Sequence, residues 1–266
     1  MSQNHSPTQN LILLGAIAGD IIGSRFEHHP HKSTDFEAFT DGSFFTDDSV
    51  LTIAVAEAIL NGRTFQEAIL DWGRRYPHSG YGGYFRAWLS AADPQPYNSY
   101  GNGSAMRASA VGWAFHTVVE VLVQAEASAA PTHNHPEGSK GAQATALGVF
   151  LARSGWTKEQ MRAEISARFG YDLSRTIAAI RPGYRYNEIC QQTVPEALIA
   201  FFDAQDFEEA IRLAVSLGGD ADTLAAITGA VAEAFFGGIP GWMVGEVKKR
   251  LPGEMWEVVE EFNSIK

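Results

Sequence analysis

Two short acidic motifs hold the residues best suited to chemistry in this 266-residue chain. The first is Phe45-Thr46-Asp47-Asp48-Ser49, and the second is Gly218-Gly219-Asp220-Ala221-Asp222-Thr223. Each sets two carboxylates beside a hydroxyl. Each is followed at once by apolar residues at helical spacing, Val50 to Leu60 and Leu224 to Phe236. Asp, Ser and Thr at a helix start satisfy free backbone N–H groups, so capping accounts for one residue at each place. It does not account for the second carboxylate. Crowded carboxylates repel one another unless a cation lies among them. Asp47, Asp48, Asp220 and Asp222 carry the charge that two divalent cations would neutralise. With the hydroxyls of Thr46 and Thr223 the donor set is all oxygen, which favours magnesium, manganese or calcium over zinc or copper.

The other polar signals are weaker one by one. Tyr81-Gly82-Gly83-Tyr84 and Asn98-Ser99-Tyr100-Gly101-Asn102-Gly103 are glycine-rich turns. Backbone N–H groups at such turns can cradle a phosphate without lysine, although glycine turns are often purely structural. Asp20 is a lone acid in an apolar stretch. It must be paired or bonded, either as an anchor for another backbone or as part of a metal shell. His28, His29 and His31 lack the partners of a zinc site and read as a solvated loop. Cys190 is the only cysteine, which excludes an internal disulfide and reads as a small buried apolar residue.

Elements must then carry the acidic motifs. Alanine-rich segments of helical period dominate: Leu51 to Leu60, Phe65 to Tyr76, Ala142 to Ala152, Lys158 to Phe169, Pro195 to Phe202, Phe207 to Ser216 and Thr223 to Phe236. A further helix is expected over Leu11 to Phe26 and another over Ser104 to Phe115. Strand signals are weak, and no repeat or low-complexity linker divides the chain. The expected fold is all-α, a single-domain orthogonal helical bundle with a binuclear metal cleft, spanning 11–266 after a flexible N-terminus of residues 1–10. Two polar stretches, Glu27 to Phe45 and Tyr76 to Gly103, read as long loops beside the acidic motifs. Residues of hydrophobic type make up 45% of the chain, enough for a full core, and the net charge of −11 disfavours generic binding to nucleic acid or anionic membranes. The apolar run Leu11 to Ile22 is interrupted by Asp20 and too short to span a bilayer, and the polar start lacks the basic opening of a signal peptide, so a cytoplasmic protein is expected.

Taken together, these stretches resemble the ADP-ribosylglycohydrolase family (dinitrogenase reductase-activating glycohydrolase-like). The matching blocks are Gly15 to Glu27, Thr46-Asp47-Asp48-Ser49, the Gly82-Gly83 turn, Ser99 to Arg107 (SYGNGSAMR), Thr132-His133 and Gly218 to Gly229 (GGDADTLAAITG). They run through nearly the whole chain in the family's order. The resemblance implies an all-α fold with two Mg²⁺ ions, or Mn²⁺, in a cleft. It implies Thr46, Asp47, Asp48, Asp220, Asp222 and Thr223 as metal ligands, with Asp47, Asp48 and Asp222 also in the catalytic set. Gly82, Ser99, Tyr100 and His133, with Gly101 and Asn102 of the same turn, would hold ADP-ribose. Glu27 would match the acid of the serine-linkage members. The segments 28–45 and 156–190 have no match.

The implied reaction is hydrolytic removal of ADP-ribose from a modified protein arginine or serine, or from another ADP-ribosyl conjugate, by cleavage at C1 of the distal ribose. Such cleavage passes through an oxocarbenium-like state, with Glu27 protonating the leaving group or orienting water. Two other classes stay open on the residues. One is a metal-dependent nucleotide-sugar transferase, whose Asp-x-Asp motif ends a strand. The other is a non-catalytic ADP-ribose or partner-binding module.

Overall fold

A computed structural model describes residues 11–265. The expected flexible segment 1–10 lies outside the described residues. Fourteen α-helices run through them: α1 Leu14–Gly23, α2 Asp47–Asn61, α3 Phe65–Arg75, α4 Gly83–Ser90, α5 Ser109–Ala114, α6 Val118–Ala129, α7 Pro136–Arg153, α8 Lys158–Phe169, α9 Ile177–Ile180, α10 Cys190–Asp203, α11 Phe207–Val215, α12 Ala221–Phe236, α13 Gly241–Arg250 and α14 Gly253–Phe262. Among the described residues there is no β-strand, only an isolated antiparallel bridge between Gly101 and Ile189. The fold is all-α, as expected, and the strand-borne Asp-x-Asp reading has no scaffold.

Local chemistry explains where many helices start. Thr64, Thr117 and Thr157 each form a capping box with Glu67, Glu120 and Gln160 three residues on. α2 and α12 begin earlier than the apolar periodicity suggested, at Asp47 and Ala221, so most of the acids lie in their first turns. Two expectations fail. The stretch 76–103 is not all loop, because the apolar pairs of Phe85, Trp88 and Leu89 bury one side of α4. Ser104 to Phe115 is not one helix. A 3₁₀ turn at Asn102–Ser104 precedes α5, whose start is delayed to Ser109.

α12 is the centre of the molecule. Every residue from Ala221 to Ala234 is buried, and α1, α7, α10 and α11 pack around it. A helix that is apolar on all sides belongs in such a position. Its closest partner is α1, which runs antiparallel. Gly15 faces Gly229, Gly19 faces Ala225 and Gly23 faces Ala221, and a Cβ at any of these glycines would overlap backbone of α12. The spacing of four residues places the three glycines on one helix stripe. This contact brings the C-terminal end of α1, with Asp20 and the following Glu27, to the N-terminal end of α12, with Asp220 and Asp222.

The segment 27–45 carries no helix, yet it is tied down. The Lys32 ammonium donates to the carbonyls of Arg181 (2.9 Å), Tyr184 (2.8 Å) and Leu217. Arg212 of α11 donates to the carbonyls of Thr34 (3.0 Å) and Phe36 (2.7 Å). Arg250 of α13 reaches that of Thr40 at 3.1 Å. Long cationic side chains thus satisfy carbonyls that no helix uses.

Candidate active site

Asp20 assembles one wall of the site. Its carboxylate accepts from the Thr46 backbone N–H (2.9 Å), the Thr46 hydroxyl (2.7 Å), the Ser49 N–H (3.0 Å) and the Ser49 hydroxyl. It is fully buried, and burial pushes its pKa up to about 6 despite these donors. With its lone pairs so engaged, Asp20 acts as the anchor that fixes the start of α2 against α1. Thr46 then caps α2, its hydroxyl accepting from Asp48 N–H at 3.2 Å. The Asp47 N–H donates to the Ser79 carbonyl at 2.6 Å and ties in the loop before α4.

Across the cleft, Asp220 accepts a 2.7 Å bond from the Asn102 amide, which also reaches the Thr193 hydroxyl at 3.1 Å. The Thr223 hydroxyl donates to Asp48 at 3.3 Å and joins the two acidic motifs. Carboxylate oxygens of Asp20, Asp48 and Asp222 lie within 4.8 Å of one another, as do those of Glu27, Asp220 and Asp222. Asp222 belongs to both groups. Burial, reinforced by neighbouring carboxylates, drives the pKa values of Asp47, Asp48 and Asp222 well above the ordinary range, and burial pushes Asp220 up to about 6. One oxygen of Asp48 is buried without any hydrogen-bond donor. A lone, buried carboxylate oxygen among crowded acids suits a cation. The acidic residues could therefore bind metal. No histidine joins these groups among the described residues. His28 and His29 are exposed, while His31 is tilted against Phe26 at 5.2 Å.

Asp47, Asp48, Asp220, Asp222, Thr223 and Glu27 all line one cleft of about 210 Å³. Its other side is built from Gly82, Gly83, Ser99, Gly101, Asn102, Gly103 and His133. The first two residues start α4, whose N–H groups and dipole point inward. Tyr100 is placed differently. It is absent from this lining, 49% exposed, and packs on His135 at 5.2 Å, so its side chain stands away from the glycines it precedes. Thr46 faces a second opening, lined also by Glu27, Phe44, Tyr76 and His78. The two openings meet at Glu27 and Gly80.

The cleft also contains residues to which the motifs assigned no role. Tyr97, Arg107, Tyr186 and Glu188 line it. The Tyr186 hydroxyl donates to Glu188 at 2.7 Å, and the Glu188 carbonyl accepts from Asn102 N–H at 2.7 Å. The segment before α10 is thus laced to the glycine turn, with the Gly101–Ile189 bridge beside it. Only the alternation Tyr184, Tyr186, Glu188 hinted at this extended piece. Burial raises the Glu27 pKa. The charge of Glu188 adds to the rise, and His28, 3.5 Å away, opposes it. Cys190 is buried, its thiol donating to the Gly101 carbonyl at 2.9 Å, and burial pushes its pKa up to about 12, so it is no nucleophile.

Comparison with known proteins agrees with this arrangement. The ADP-ribosylglycohydrolase family model matches residues 12–264. "ADP-ribosylhydrolase ARH3" of Mus musculus is 26% identical over 85% of this chain and 82% of its own length. "ADP-ribosylarginine hydrolase Tri1" of Pseudomonas putida (strain GB-1) is 26% identical over 88% of this chain and 72% of its own. A solved structure described as "ADP-ribosylglycohydrolase-related protein complex" superposes with a TM-score of 0.75 and 27% identity, covering 97% of this chain and 98% of that one. The chain belongs to the ADP-ribosylglycohydrolase family of hydrolases.

Proposed function

We propose that this protein is a magnesium-dependent hydrolase that removes ADP-ribose from a modified acceptor, cleaving the glycosidic bond at C1 of the distal ribose. The observation that carries the reading is the convergence of two carboxylate groups on Asp222, with Glu27 at the junction of two openings. Asp47, Asp48, Asp220 and Asp222, with the Thr46 and Thr223 hydroxyls, would hold two Mg²⁺ ions. The unpartnered Asp48 oxygen and the all-oxygen donor set fit such ions. Bound there, they would fix the ribose hydroxyls and make a water more acidic.

The chain's own residues account for the rest. The Gly82 N–H, the Ser99 hydroxyl and the His133 ring offer donors to the diphosphate, and Gly101 and Asn102, whose own N–H groups bond to Ser99 and Glu188, would hold it by shaping the turn, which lets an acidic protein take an anionic ligand. Tyr84, 82% exposed and stacked near Tyr97 at 6.1 Å, presents a flat face for the adenine. Glu27, whose pKa burial raises, is the carboxyl placed to give a proton to the leaving oxygen or nitrogen. The second opening beyond Glu27 would then receive the acceptor, whether a protein arginine, a serine or another conjugate. Of the relatives, one is named for arginine-linked ADP-ribose and the other carries no acceptor in its name.

The test is release of free ADP-ribose from arginine-linked, serine-linked and nucleic-acid-linked substrates, with Mg²⁺ and with chelator. Metal-dependent release from one of them supports the proposal and names the acceptor. Binding of ADP-ribose with no release from any would favour a non-catalytic binding module instead.

A further inference from the structure

Arg107 is the largest fully buried side chain, and its hydrogen bonds run to no carboxylate. Its Nη2 donates to the Ser128 carbonyl (3.0 Å) and to the Thr132 hydroxyl oxygen (2.9 Å). Its Nε and Nη1 have no partner. That same Thr132 oxygen lies 2.7 Å from His133 Nδ1. Thr132 is fully buried, and His133 is only 4% exposed.

The chemistry of these groups orders the protons. A guanidinium has donors only, so the Thr132 oxygen must accept from Arg107. The hydroxyl then has one hydrogen to place. Nδ1 of His133 is the one further partner within reach. Were Nδ1 protonated, two donors would point at the Thr132 oxygen, and its own hydrogen would be buried with no acceptor, a rare state in folded proteins. Nδ1 therefore accepts, and the ring proton sits on Nε2. A Cβ at Gly103 would lie 3.4 Å from Nε2, and one at Gly101 3.6 Å from it, so this nitrogen faces the glycine turn of the cleft.

We infer that Arg107 and Thr132 form a relay that locks His133 in its Nε2–H tautomer and presents a neutral N–H donor to the anionic part of the ligand. This rests on ADP-ribose as that ligand. The order Arg107, Thr132, His133 also carries the influence of a buried cation to the diphosphate side. Burial and the nearby Arg107 charge hold the His133 pKa well below its usual value, which agrees with a ring that stays neutral. Arg107 and Thr132 are positioning residues. They act on the ligand through His133.

The experiment uses ¹⁵N-labelled full-length protein without ligand. Two-bond ¹H–¹⁵N correlation spectra read the His133 tautomer, assigned by loss of its signals in His133→Gln. Calorimetry with ADP-ribose and Mg²⁺ reads affinity. Wild type and Thr132→Ser should show a pyridine-like Nδ1 and a pyrrole-like Nε2. Thr132→Val keeps the shape and removes the hydroxyl. It should lose the single tautomer and bind ADP-ribose about tenfold more weakly, with Thr132→Ser restoring affinity. A pyrrole-like Nδ1 in wild type overturns the relay, and so does a Thr132→Val protein that keeps both tautomer and affinity. A wild type with the expected tautomer that does not bind ADP-ribose would leave the relay standing and sink the ligand.

Discussion

At the scale of single residues, Glu27 differs from the other acids around it. It stands where the two openings meet and shares a carboxylate group with Asp220 and Asp222. If it delivers the proton to the leaving group, Glu27→Gln should lower kcat by about 10²- to 10⁴-fold. ADP-ribose affinity should change little, because the donors that would hold the diphosphate lie on the other wall. Steady-state kinetics beside calorimetry separate the two effects, and unchanged turnover on the best substrate would remove Glu27 from the mechanism. Cys190 and Tyr97 give a pH prediction in the alkaline range. Burial raises the Cys190 thiol from 9.0 to about 12 and the Tyr97 phenol from 10.0 to about 12. Each is an acid whose folded pKa exceeds its unfolded one, so its contribution is fully present below the unfolded value and is lost as pH rises toward the folded one. Thermal stability should therefore fall between about pH 9 and 12. Cys190→Ala should flatten that fall while lowering stability at neutral pH, where the bond to Gly101 is lost. An alkaline slope identical to wild type would contradict the assignment.

At the scale of elements, the α1–α12 crossing decides whether the acids meet at all. Gly15, Gly19 and Gly23 let the two backbones touch, and Asp20 then reaches the start of α2 from the same helix. Gly19→Ala would drive a methyl group into the Ala225 backbone, which no side-chain rotation can relieve. Overpacking of this kind costs about 1–3 kcal/mol, and more where only backbone can move. The expected result is a clear drop in melting temperature with a larger fractional loss of activity, since separating the helices separates Asp20 from Asp222. Denaturation and turnover measured on the same preparation would show it. A fully stable, fully active Gly19→Ala protein would mean that the helices can shift without cost.

At the scale of the whole molecule, charge is the dominant fact. The chain carries a net −11, and the buried acids Asp48, Asp220 and Asp222 are crowded into one cleft. A ligand that binds only the folded state stabilises it in proportion to the logarithm of its concentration over Kd. Saturating Mg²⁺ should thus raise the melting temperature by about 5–10 °C over chelator-treated protein. The shift should vanish in Asp222→Asn, because that residue belongs to both acidic groups. Scanning calorimetry with and without chelator makes the comparison, and an equal shift in Asp222→Asn would place the cation elsewhere. The described helices include none long and apolar enough to cross a membrane.

The sequence by itself determined much of what is local. Period and composition marked most of the long helices, with Lys158–Phe169 met at both ends, and spacing along the chain set each acidic pair at a helix start. The motif blocks carried the family. These are properties of residues a few positions apart, where backbone geometry alone decides what can meet. Tertiary structure decided everything that depends on distant residues meeting. Asp20 proves to be an anchor because α1 lies against Thr46 and Ser49, and Asn102 grips Asp220 across more than a hundred residues. Arg107 reaches Thr132 through the core. The segments 28–45 and 156–190, which match no motif, turn out to be held by Lys32 and by Glu188 against the site. Tyr100, inside a matching block, turns its side chain away from the cleft. Spacing cannot show which way a side chain leaves a loop, because that depends on packing partners far off in sequence.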